Sequence, residues 1–362
     1  MPSGKKRNAA LPLLLALAMG FAAFTPSPAT AQFTQVNLVG DVPGSAINTD
    51  PNLKNGWGMA FLPGGPFWVS DNFTGLSTLY DAAGNILPLV VTVPAAPINP
   101  FFGPVGSPAG LIANTTSGFV VSAGGQSGPA LFLFATNDGT ISGWNPNVNL
   151  TNAIVAVDNS ASFTIYTGLA MATNNGETLI YAADANNNKV DVFDSNFNPV
   201  ALGPNAFTDP NVPAGLTVYG IQQIQGKLYL TFASPLPLQG GVLDVFGTDG
   251  SLIKRISANG PGGALEGPWG MVVAPGNFGP GSRKLLVGNV DDGHINIFNP
   301  KSGVFLGQLK DRNRNTIAIS GLWALVFGAG QASNGRTNHL FFAAGPNNYN
   351  DGLFGVILPP SH

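Results

Sequence analysis

The chain contains no cysteine, which excludes disulfides, thiolate metal sites and cysteine nucleophiles. Charge is scarce: Asp, Glu, Lys and Arg make up 9% of residues, against about 25% in ordinary soluble domains. The formal net charge is −3 and no long basic run occurs, so the electrostatic footprint of a nucleic-acid binder is missing. The histidines, His294, His339 and His362, never stand at a metal-ligand spacing, and neither an HExxH nor a GxSxG motif is present. Zincin and nucleophile-elbow chemistry therefore have no signature. The glycine-rich stretch Gly124-Gly125-Gln126-Ser127-Gly128 lacks the Lys-Ser/Thr ending of a phosphate loop and reads as a turn. Beyond Ala31, no segment reaches membrane-spanning length without Gly, Pro or polar interruption.

What the chain has in abundance is turn-forming residues. With 48 Gly and 30 Pro among 362 residues, over a fifth of the chain favours many short strands over long helices. Apolar residues reach 44%, enough for a sizeable core. The first residues read as a cleavable signal peptide, 1–31. Lys5, Lys6 and Arg7 form a basic start, Ala9 to Phe24 an apolar stretch too short for a comfortable span, and Ala29-Thr30-Ala31 a small-residue cleavage site. The expectation is a mature chain of residues 32–362, a single domain that is exported and either secreted or periplasmic.

An internal repeat organises that mature chain. Its opening recurs as Gly56-Trp57-Gly58-Met59, Pro108-Ala109-Gly110-Leu111, Thr167-Gly168-Leu169, Tyr219-Gly220-Ile221, Pro268-Trp269-Gly270-Met271 and Gly321-Leu322-Trp323. Aligned on Gly58, Gly110, Gly168, Gly220, Gly270 and Gly321, six copies of about 50 residues match the length of a four-stranded propeller blade. Each opening leads to a second apolar run, such as Phe67 to Ser70, Phe119 to Ser122 and Leu285 to Gly288. An alternating third follows, such as Lys189 to Phe193 or His294 to Phe298. The second copy is irregular: Leu131 to Thr136 and Thr140 to Trp144 flank Asn137-Asp138-Gly139, a strong hairpin signal. The sixth copy is short of a fourth strand, and Phe33 to Val39 supplies a spare one. The fold class that follows is all-β: a six-bladed β-propeller of four-stranded antiparallel blades, closed by the N-terminal strand so that no edge is left open.

In such blades the second-to-third turn and the crossing to the next blade share one face. The long segments fall there: Gly40 to Asn55, Pro94 to Ser107, Ala201 to Thr217, Ser234 to Gly240, Lys310 to Ser320 and Gly345 to Gly352. Long loops on a rigid scaffold are where binding sites sit. The candidate ligand-binding residues on this face are Asp50, Asp71, Asn72, Asp184, Asn289 and Asp291. Asp71, Asp184 and Asn289 follow the second strand in three blades. Their oxygens suit a hard divalent cation such as Ca²⁺; the same residue types also brace turns by accepting backbone N–H bonds. Trp57, Trp269 and Trp323 read as wedges between neighbouring blades.

The blade pattern, an apolar run ending in Val-x-Asp/Asn, a turn, then a strand ending in an aromatic and Asp/Asn, resembles NHL-repeat and SMP-30/gluconolactonase-like six-bladed propellers. Asn48-Thr49-Asp50-Pro51-Asn52-Leu53, Asp138 to Pro146, Gly321-Leu322-Trp323 and Gly345-Pro346-Asn347 look like a family of exported bacterial propellers with no established activity. Some of those relatives carry a C-terminal sorting segment; this chain ends Pro359-Pro360-Ser361-His362, which suggests release. The lactonase resemblance implies a channel-bound divalent cation held by Glu, Asn and Asp. Asp71, Asp184 and Asn289 would play that part, although no Glu stands at an equivalent position. Two functions are carried forward: a monomeric binding module whose long-loop face holds a glycan, peptide, protein or small molecule, and a metal-dependent hydrolase of the lactonase type.

Overall fold

The computed structural model describes residues 32–97 and 103–360, together with Met1 and Gly4. The signal-peptide segment and its cleavage site lie outside the described residues. Ala31–His362 forms one compact unit.

Six small antiparallel sheets follow one another around a ring. Their inner strands are Gly56–Ala60, Pro108–Ala113, Tyr166–Asn174, Thr217–Ile224, Pro268–Val273 and Leu322–Phe327, here the first strands of blades one to six. Blade six closes as expected: Leu322–Phe327, Leu340–Ala344 and Leu353–Leu358 are joined by Thr34–Gly40 from the start of the domain, antiparallel to Leu353–Leu358. The short strand Asn48–Thr49 adds parallel to that closing strand.

Two blades depart from the expected pattern. In blade two, Phe119 to Ser122 is not the second strand. Val120–Ala123 pairs instead with Gln126–Pro129 as a separate hairpin. Its turn is Gly124-Gly125, both at positive φ (57° and 79°), the backbone that a two-residue type I′ turn demands. The second and third strands are Phe132–Thr136 and Thr140–Trp144, as the Asn-Asp-Gly turn signalled. Blade three has three strands, Tyr166–Asn174, Glu177–Asp184 and Lys189–Phe193; its outer strand is reduced to a Phe193–Pro199 bridge, because Asn198-Pro199 breaks the pattern and proline cannot donate to a ladder.

The core is divided along the seams between blades. Among the described residues there are seven apolar clusters, six of them along the seams; Trp68, Leu79, Leu111, Phe132 and Trp144 between blades one and two are an example, and Met59, Phe67, Val69, Ala324 and Phe341 between six and one another, while the seventh, Trp57, Ala109, Val290 and Trp323, lies on the axis. Strand registers fix the equivalences. Gly56 pairs with Asp71, Pro268 with Asn289 and Leu322 with Ala344, each followed by a bulge and then Met59–Val69, Met271–Val287 and Leu325–Phe342. Position by position, Gly58 therefore matches Gly110, Gly168, Gly220, Gly270 and Ala324. Gly321 is not the sixth member; it sits at φ 66° just before the strand, in a turn.

The glycine at this position has one physical reason. A Cβ on Gly110 would lie 2.5 Å from Leu169 N and 2.8 Å from Gly168 C, and one on Gly220 would lie 2.6 Å from Trp269 O. These are backbone atoms of the next blade, so neighbouring inner strands touch main chain to main chain.

Candidate functional site

The residue before that position points into the central channel, and its size varies around the ring. It is Trp57, Ala109, Thr167, Tyr219, Trp269 and Trp323 in blades one to six. The four rings fill the space that Ala109 and Thr167 leave open. Trp57 and Trp323 stack at 3.6 Å with planes 17° apart; Trp269 meets both edge-on at 6.4 and 6.0 Å. Tyr219 and Tyr349 flank Trp323 at 6.0 and 5.7 Å. The Trp269 indole N–H reaches across to Thr167 O at 2.9 Å. The tryptophans are thus a plug in the channel and not wedges between blades. Periodicity alone misassigns them, because the bulge near the start of each inner strand turns this position inward. Beneath the plug, Met59, Leu111, Leu169, Ile221, Met271 and Leu325, one from each blade, leave a gap of only about 20 Å³.

Above the plug, the long-loop face opens into a cavity of about 770 Å³. Trp57 and Trp323 contribute to its base, Tyr219 and Tyr349 to its walls, and Phe73, Val105, Pro235 and Pro237 to its rim. A chain of amides runs along one side. The Trp323 indole N–H donates to Asn55 Oδ1 (2.9 Å), Asn55 Nδ2 to Asn72 Oδ1 (3.2 Å), Asn72 Nδ2 to Asn137 Oδ1 (2.8 Å), and Asn137 Nδ2 to Tyr166 O (3.2 Å). Asn72 Nδ2 also donates to Pro108 O. The chain links blades six, one, two and three, and each bond polarises the next. The Trp57 indole N–H has no protein partner among the described residues.

Asp291 is the carboxylate lining this cavity. Its Oδ2 accepts Leu238 N–H at 2.7 Å. Burial raises its pKa against the pull of that bond, and Glu266 and Asp292 raise it further. Burial likewise raises the Tyr219 and Tyr349 phenols, with the Asp291 charge adding to each; both remain protonated donors. Tyr349 ends a run of three residues, Asn347, Asn348 and Tyr349, at φ 54°, 52° and 68°. Left-handed backbone costs L-residues roughly 1–2 kcal/mol apiece, and such strain collects at functional sites.

Of the six residues picked from the sequence, Asn72 and Asp291 line the cavity; Asp50, Asp71, Asp184 and Asn289 do not. Asp71, Asp184 and Asn289 do hold equivalent positions, but Thr136, Phe232 and Ala344 occupy the others. Each is engaged locally. Asp71 Oδ1 accepts from Thr78 Oγ1 at 3.2 Å, and burial holds its carboxyl well above the usual range. Asp184 accepts Ile165 N–H, Asn187 N–H and Asn187 Nδ2. Asn289 donates to Ala264 O. Asp50 accepts from the Tyr80 hydroxyl at 3.0 Å and from Asn52 N–H. Among the described residues no group of three His, Cys, Asp or Glu is placed to hold a metal ion. Sequence reasoning missed Asn55, Asn137, Tyr219 and Tyr349. For Tyr219 the position before the seam glycine was the available signal, since around the ring it varies between indole, phenol and small side chains; Asn55, Asn137 and Tyr349 carry no such repeat signal.

Fold and site together define a six-bladed propeller with an aromatic-plugged channel and a blind, amide-lined mouth. No family model matches the chain. It is 31% identical over 351 residues to an uncharacterised protein of Acanthamoeba polyphaga mimivirus, covering 92% of this chain and 88% of that one. A second protein of the same virus is 30% identical over 348 residues, with 92% and 82% covered. The chain belongs to the family these proteins represent; its matched members are viral, where the sequence motifs suggested a bacterial family. Among solved structures, the PQQ-bound aldose sugar dehydrogenase of Streptomyces coelicolor superposes with a TM-score of 0.54 at 12% identity, over 92% of this chain and 99% of that one, a likeness of fold.

Proposed function

We propose that the protein is an exported, monomeric binding module that holds a small organic ligand in the blind mouth of its channel. The observation that carries this is the lining of the 770 Å³ cavity. Aromatic surface below and a preorganised row of amides beside it are what ligand sites combine, a mostly apolar concavity with few, fixed polar groups. The cavity's polar groups are donors and acceptors: amides, phenols, Ser107, Ser234 and Ser320, with Asp291 half committed to Leu238 N–H. Export rests on the basic, apolar and small-residue segments of 1–31.

The test is ligand-observed NMR of pooled small molecules and peptides against the wild type and Ser320→Trp, which places an indole on the exposed lip of the cavity. Ligands that bind the first and not the second support the reading. Ligands that bind both equally, or none from any pool, sink it. For export, the protein recovered outside the cytoplasm should begin at Gln32 by N-terminal sequencing; an unprocessed Met1 start would refute that part.

A further inference from the structure

We infer that the ligand of this cavity is a neutral saccharide, lying with its C–H face over the aromatic base and walls and presenting its hydroxyls to Asp291, the two tyrosines and the amide row. The inference rests on the binding reading above and narrows it to one chemical class.

Three features select that class. The first is charge. Among the described residues no Lys, Arg or His lines the cavity, so a phosphate, nucleotide or carboxylate would be buried there without a counter-charge, at a cost of several kcal/mol. The Asp291 carboxylate adds repulsion.

The second is the pairing of surfaces. A pyranose has apolar C–H faces and a girdle of hydroxyls that each donate and accept. The cavity offers the complement. Tyr219 and Tyr349 are half-buried and tilted 55° and 38° to the Trp323 plane, so apolar ring surface faces the cavity on more than one side. Among the described residues Asp291 Oδ1 and the phenols of Tyr219 and Tyr349 have no hydrogen-bond partner. A carboxylate acceptor sharing the cavity with two phenol donors suits adjacent hydroxyls better than one isolated polar group.

The third is preorganisation. The amide chain Asn55–Asn72–Asn137 is already held by its neighbours, so its remaining donors and lone pairs are fixed in direction before a ligand arrives. Fixing donors in advance removes the ordering cost that weakens polar recognition. The left-handed turn at Asn347 to Tyr349 serves the same end, placing the Tyr349 ring beside Trp323 at the mouth.

The experiment uses the chain from Gln32 and four defined probe sets: neutral gluco-, galacto- and manno-configured disaccharides, an acidic disaccharide, tetramethylammonium, and an apolar tetrapeptide. Binding is read by saturation-transfer NMR and calorimetry, with melting curves to verify folding of each variant. The expected result is binding of at least one neutral disaccharide, abolished in Ser320→Trp. Tyr349→Ala should weaken it about tenfold, the scale of one lost aromatic contact, and Tyr349→Phe, which keeps the ring, by less. Ser234→Trp, at the blade-four side of the cavity lining, is the second blocking variant should Ser320→Trp fold poorly. Tetramethylammonium or the peptide binding in place of the saccharides, and lost in the blocked variants, overturns the saccharide class while the binding-module reading stands. Saccharide binding that survives both blocking variants overturns the site. No probe binding at all overturns this class and weighs against the wider reading with it.

Discussion

The seam glycines make the sharpest prediction about how the ring is built. Replacing Gly110 by Ala puts a methyl 2.5 Å from Leu169 N, 2.8 Å from Gly168 C and 2.9 Å from Leu169 Cβ. Ordinary carbon contacts lie at about 3.5–4.0 Å, so blades two and three must separate locally by roughly 1 Å. Both atoms that resist are main chain inside paired strands, and no rotamer change relieves the clash. Overpacking of this kind costs about 1–3 kcal/mol, sometimes more. A glycine-to-alanine change also restricts the unfolded chain, returning about 0.4–1 kcal/mol. The net expectation is a loss of about 2 kcal/mol. At about 2 °C per kcal/mol for a large domain, the melting temperature should drop by about 4 °C, with a matching fall in the urea midpoint and an unchanged m-value. Ala324→Gly is the comparison: it removes a buried methyl that the sixth seam already accommodates and should cost about 1–2 kcal/mol through backbone entropy and the lost burial. If Gly110→Ala melts at or above the wild-type temperature, main-chain contact does not set the blade spacing.

Three further outcomes follow from other parts of the molecule. Arg255 forks onto Asp244, with Nε–Oδ1 at 2.9 Å and Nη2–Oδ2 at 3.2 Å, and also bonds Asp209. Burial pushes the Asp244 carboxyl up to about 6 despite that pairing, whereas for Asp209 the burial cost is outweighed by Asn211 N–H and Arg255, which hold it below its usual value. A raised carboxyl stabilises the fold most below its unfolded value near 3.9 and loses that contribution as pH rises through about 6. The melting difference between wild type and Asp244→Asn should therefore change across pH 4 to 7 (roughly the window between the two values), and parallel profiles would count against it. Deleting Thr34–Gly40 exposes the ladder edge of Leu353–Leu358 and should abolish cooperative melting of the whole ring; a deletion protein that melts like the parent refutes closure by this strand. Because Asp184 spends its oxygens on neighbouring donors and Asp71 is fully buried with only Oδ1 bonded, to Thr78, and no group of three acidic or histidine side chains converges among the described residues, chelation should leave melting within about 1 °C; a larger loss, with a divalent ion found by elemental analysis, would restore the metal site.

Much of the scaffold was legible because blade length, turn chemistry and strand alternation are local signals. Closure by the N-terminal strand could be read from the missing partner in the last repeat. The failures share one cause. Phe119 to Ser122 has the composition of a second strand, but which run pairs with Pro108–Ala113 is decided by long-range register, and Phe132–Thr136 occupies that place. Gly321 and Ala324 are three residues apart, and only the bulge between Leu322 and Leu325 shows which one meets blade one. The site was harder still. Carboxylates drew notice as chemistry-bearing groups, yet Asp71 and Asp184 are enclosed in their own turns. The cavity is lined instead by asparagines and tyrosines whose importance arises from convergence across blades, a property no single segment carries.

The channel-facing position has a consequence for how such a molecule diversifies. Each blade contributes one residue there, and none of the six takes part in a ladder through its side chain. Tryptophan, tyrosine, threonine and alanine all occur at this single register position in one chain. Six independent substitutions can therefore redraw the floor of the mouth, shifting where it is deep and where it is shallow, while the seams keep their spacing. A pseudo-symmetric ring thereby acquires a lopsided interior, with recognition written in a handful of positions and stability written elsewhere.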